Sequence, residues 1–163
     1  MDAVEVLSQS LATADGISGA YLQDLTDGEL LVRPLPDANH IAWQLGHLIA
    51  TEHSMLERVF PGCLPGLPDG FSERHAGETA REDAAEAFLS KQAYLDLFQQ
   101  QRAATRALLE GLTAADLDAA APEELRGLCK TVADVFAMQA AHWLMHAGQW
   151  AVIRRKLGRP PLF

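Results

Sequence analysis

A chain of 163 residues, 48% hydrophobic and 21% charged, has the size and composition of one globular domain, predicted to span 1–163. Its formal net charge of −9 opposes a nucleic-acid backbone, and no run reaches the roughly 18 apolar residues of a membrane span, so neither is expected as a partner. The start MDAVEVLSQS has no basic region followed by an apolar core, and the two cysteines, Cys63 and Cys129, lack CxxC spacing, which together fit a cytoplasmic protein with reduced thiols.

Four long segments carry helical periodicity. The first covers 2–25, with Val4, Leu7, Leu11, Ala14, Tyr21 and Leu25 at helical spacings and Gly16 and Gly19 weakening its middle. TDGELLVRPLPDAN follows, with one predicted turn capped by Thr26 or Asp27 and two prolines that stop it. The second helix is expected from an Asn39 N-cap to Phe60, where Pro61-Gly62 ends it. Residues 61–78 are rich in glycine and proline and read as the longest loop, a candidate lid that carries Cys63. The third helix is expected over 79–110, with Phe88, Leu95, Phe98 and Leu108 on its buried side. LTAADLDAAAPEELRGLCK holds at most a short turn. The fourth helix starts at a capping-box pattern, Thr131 with Asp134, and ends in Arg154, Arg155 and Lys156, cations suited to the negative helix end. No segment alternates as a strand does. The expected fold is therefore all-α, a four-helix bundle with long crossover connections.

The chemistry lies in HWLMHAGQW and HIAWQLGHLIATEHSM. At about 100° per residue, His142 and His146 lie about 40° apart on the face shared by Val135 and Ile153, with Gln139 and Gln149 a turn to either side. Two neutral imidazoles on an inward face each need a partner, and one divalent metal satisfies both. Across the bundle, His47 is mid-helix, with Thr51, Ser54 and Trp43 within about 40° of it. His47 is thus the candidate third ligand. His40 is placed at the rim, His53 on another side and Glu52 too far round to serve as a base. His75 is left unassigned. Three imidazoles suit zinc or nickel first, with iron(II) or manganese(II) also compatible. A di-iron site is excluded because no pair of Glu-x-x-His motifs is present. Trp143 and Trp150 read as core or interface residues, Trp43 as a pocket wall, and Gln139 and Gln149 as partners to the ligands.

LTDGELLVRPLPDANHIAWQLGHLIATEHSML, with Asn-x-Ile-x-Trp-x-x-Gly-His after an Arg-Pro, and HWLMHAGQWAVIRRKLG, with His-x-x-x-His before Gly-Gln, resemble the DinB-like (DinB/YfiT) superfamily along nearly the whole chain. The resemblance implies a metal-binding four-helix bundle, often a homodimer, with His47, His142 and His146 as ligands. Ala147 departs from the Arg or similar polar residue common at that position. Characterised relatives use low-molecular-weight thiols such as bacillithiol or mycothiol. The implied function is a metal-dependent enzyme with a small-molecule substrate, activating a thiol as an S-transferase does, or water as a hydrolase does. The alternative is a non-catalytic bundle stabilised by metal that acts as a ligand-binding or interaction protein.

Overall fold

In a computed structural model, residues 1–162 are described. They form six α-helices: α1 (Ala3–Leu22), α2 (Ile41–Val59), α3 (Phe71–Arg74), α4 (Lys91–Glu110), α5 (Ala114–Asp118) and α6 (Val132–Lys156). Short 3₁₀ turns lie between them. Among the described residues there is no strand, only an isolated bridge between Ala120 and Thr131.

Local chemistry sets the helix ends. Asp2 caps α1 in a capping box with Glu5, and Thr131 caps α6 in a box with Asp134. Ahead of the turn at Glu29–Leu31, the Thr26 hydroxyl accepts from the Glu29 N–H and the Glu29 carboxylate accepts from the Thr26 N–H. The cap of α2 is His40 rather than Asn39: its Nδ1 accepts from the Trp43 N–H at 3.1 Å. Helix α2 stops where Gly62 takes a positive φ of 78°.

The largest departure from expectation is in 79–90, which is not α-helical and holds a 3₁₀ turn at Ala85–Ala87. Helix α4 begins only at Lys91, capped by Ser90. Local hydrogen bonds compete successfully with the helix here. The Glu82 side chain accepts from the Asp83 and Ala84 N–H groups, while its carbonyl is taken by Arg33 and His40. Phe88 therefore lies outside the helix, edge-on to His40 at 4.6 Å.

Helices α1, α2, α4 and α6 form the bundle. Helix α6 packs on α1 and α2, and α4 packs on α2 and α1, so α1 and α2 stand at opposite corners although they are consecutive in the chain. The long connections make these crossovers. Leu11, Leu22, Leu45, Leu56, Tyr94, Phe136, Trp143 and Trp150 fill the interior. A charged network crosses it as well: Arg102 Nη2 lies 3.1 Å from Glu52 Oε2 and Nε lies 3.2 Å from Asp15 Oδ1. Thr105 donates to Glu52 at 2.7 Å, and the Arg102 guanidinium sits over Phe98 and Trp143. Glu52 is thus engaged in the core, which agrees with its exclusion as a base. No described helix is long and apolar enough to cross a membrane.

Candidate metal centre and the cleft beside it

His47 on α2 and His142 and His146 on α6 meet at the seam between these helices. One ring nitrogen from each lies within 4.8 Å of the other two. His142 Nε2 and His146 Nε2 are 3.2 Å apart, close to the edge of about 3.3 Å expected between two nitrogens bound tetrahedrally at 2.0–2.1 Å from zinc. Burial lowers the pKa of all three; for His142 and His146 burial and the neighbouring rings bring it to about 4. The rings are therefore neutral at pH 7, as ligands must be. This donor set fits a divalent transition metal.

Gln44 orients His146. The Trp150 indole N–H can only donate, so the atom 2.7 Å from it is the Gln44 carbonyl oxygen. The same oxygen lies 2.9 Å from His146 Nδ1, which must carry the proton. His146 Nε2 is left with its lone pair directed at the group of histidines. The Gln44 amide nitrogen donates to the Asn39 carbonyl and to Gln149 Oε1. On the other side, the His75 backbone carbonyl faces the His47 ring, and Trp43 stacks on that ring at 4.8 Å and 9°. An amide partner such as Gln44 fixes the tautomer of a ligating imidazole.

His75 is buried by contact with Gly46. A Cβ added at Gly46 would fall 2.1 Å from His75 Cδ2. The His75 ring donates from Nδ1 to the Phe71 carbonyl and accepts at Nε2 from the Tyr94 hydroxyl, at 2.8 and 2.7 Å. This clamp holds the 61–78 loop along α2. Between the loop and α2 is a cleft of about 400 Å³, lined by His47, Thr51, Ser54 and Arg58 on one side and Ser72 and Gly77 on the other.

A family model for the DinB superfamily matches residues 16–150. The chain belongs to the DinB superfamily. Among solved structures, this DinB superfamily member is similar to a conserved protein from Enterococcus faecalis at 18% identity, with a TM-score of 0.69 over 98% of this chain and 99% of that one. It is also similar to YfiT from Bacillus subtilis, described as a probable metal-dependent hydrolase with an unusual four-helix bundle topology, at 14% identity, with a TM-score of 0.64 over 96% and 89% of the two chains. No curated protein matches it.

In this DinB superfamily fold, Trp43, Thr51 and Ser54 lie beside His47 as their spacing implies. Gln149 reaches the site only through Gln44. Gln139 does not reach it: its amide bonds to the Val135 carbonyl and Met55 Sδ. His40 is not a rim residue but is buried, donating from Nε2 to the Glu82 carbonyl at 3.0 Å. The histidines are also less central than the helical wheel implies. The buried arc of α6 extends through Trp143, Ala147 and Trp150, so Ala147 is interior and His142 is half-buried at the arc's edge. The site therefore opens sideways to solvent. The sequence reading missed Gln44: its spacing puts it one turn before His47, but nothing local pairs it with His146 on α6. Nothing in the sequence pointed to His75. Cys63 is half-buried, and burial together with Glu57 pushes its thiol up to about 11. It is not a thiolate at neutral pH.

Proposed function

We propose that this protein is a divalent-metal-dependent enzyme acting on a small electrophilic molecule, with His47, His142 and His146 holding the ion and a low-molecular-weight thiol as nucleophile. The observation that carries this reading is the convergence of three neutral imidazole nitrogens beside an open cleft. A divalent ion supplies positive charge that lowers the pKa of a thiol or water toward neutrality. The chain's own groups do the rest. Gln44 keeps the His146 ring in one tautomer and orientation. Trp43 covers one face of His47. Thr51 and Ser54 are short, leaving room for substrate and offering hydroxyls to orient it. Glu52 is committed to Arg102 and takes no part in proton transfer.

Water as the nucleophile is the second reading, favoured by the likeness to YfiT, described as a probable metal-dependent hydrolase. The test is a panel of electrophiles and esters against protein loaded with zinc, nickel, iron(II) or manganese(II), with and without added thiols, and with His146→Ala as control. Turnover that needs both metal and thiol supports the transferase. Steady turnover of an ester without thiol replaces it with the hydrolase. Equal metal content in His146→Ala and wild type sinks the ligand set, and metal that stabilises the fold without any turnover indicates a non-catalytic bundle.

A further inference from the structure

The cleft beside His47 has a charge preference as well as a shape. The chain carries 22 acidic residues against 13 lysines and arginines, yet no carboxylate lines this cleft. Its cation is Arg58. At about 100° per residue, Thr51, Ser54 and Arg58 all fall within about 40° of His47, so they form one strip along α2. That strip spans eleven residue steps, about 16 Å of helix axis. Ser72 and Gly77 face it from the loop. Arg58 is exposed and makes no ion pair among the described residues. Its neighbour Glu57 is engaged elsewhere, accepting from the Gly62 and Leu64 N–H groups at 2.7 and 2.8 Å.

We propose that the cleft takes an elongated small molecule whose far end is a carboxylate, held by Arg58, while its reacting end lies at the three histidines. A guanidinium pairs with a carboxylate through two parallel N–H bonds. A phosphate dianion is a poorer match. The walls offer one cation, which projects from the last turn of α2, where the helix end is negative. The proposal rests on the metal reading of the histidines and adds the substrate class.

The experiment uses metal-loaded protein and two probes, suberic acid monohydroxamate and its methyl ester, titrated calorimetrically. The hydroxamate end ligates an open metal, and only the acid presents a distal carboxylate. Wild type is expected to bind the acid more tightly than the ester by on the order of tenfold. Arg58→Ala is expected to bind both alike, at the ester's affinity, with unchanged metal content. If Arg58 served only the end of α2, its removal would lower the melting temperature and leave the preference intact, which overturns the proposal. Equal binding of the two probes by wild type, or binding of neither, also overturns it. Failure of the histidine reading is separately visible, as a wild-type protein that takes up no metal, and this proposal then falls with it.

Discussion

Gln44 satisfies four groups with one amide: the Asn39 carbonyl, Gln149, the Trp150 indole and His146. Gln44→Leu keeps the volume and removes all four bonds. Metal affinity is expected to fall by about 10–100-fold, because His146 loses the acceptor that fixes its tautomer. Stability is expected to fall by about 1–3 kcal/mol from the orphaned Trp150 donor. Competition with a chelator and urea denaturation measure the two effects separately; unchanged chelator competition would count against the orienting role. The three histidines were legible because helical spacing alone brings i and i+4 together. Their supporting partners were not, since a hydrogen bond between residues 44 and 146 depends on how α2 and α6 are packed, which no local pattern encodes. Gln139 shows the converse. It has the right angle on α6, but it lies far enough along the axis to bond Met55 and Val135 instead.

Helix α2 lies against the 61–78 loop only because Gly46 has no side chain. His75 cannot swing away from an added methyl, since Phe71 and Tyr94 hold both of its ring nitrogens. Gly46→Ala is therefore expected to cost about 2–3 kcal/mol despite the better helix propensity of alanine. Metal affinity should drop with it, because the loop carries the carbonyl facing His47. His75→Ala in the same chain should recover part of the stability. A Gly46→Ala protein with wild-type denaturation and metal binding would show that the loop yields without cost. The four bundle helices were readable from periodicity and from the Thr131–Asp134 box, which the structure retains, whereas the single turn α3 inside the 61–78 loop was not. The start of α4 was not readable. Residues 79–90 have acceptable helix propensity, and what unwinds them is the capture of the Glu82 carbonyl by Arg33 and His40 from a distant segment.

Two buried features govern the molecule's response to conditions. Burial lowers the pKa of His142 and His146 from 6.5 to about 4, and also lowers those of His40, His47 and His75. As pH falls below 6.5, the unfolded chain takes up protons that the folded chain resists. The metal-free protein is therefore expected to be most stable above that value and to lose stability as pH falls toward about 4. Urea midpoints across this window should drop in wild type and drop less in His142→Ala/His146→Ala; equal slopes would show that these rings do not carry the effect. The second feature is Arg102. Arg102→Met leaves the buried Glu52 carboxyl without its guanidinium, where burial already raises its pKa, and a loss of about 3–5 kcal/mol is expected by calorimetry. The diagonal placement of α1 and α2 also bears on how the chain is made. Helix α1 finds its main neighbour in α6, and α6 is translated after every other bundle helix. On the ribosome, the early helices must wait with apolar faces exposed until residues 132–156 emerge, a period in which chaperone capture competes with folding. His47 cannot meet His142 or His146 before that moment, so a stalled nascent chain that lacks α6 holds only one of the three histidines of the candidate site.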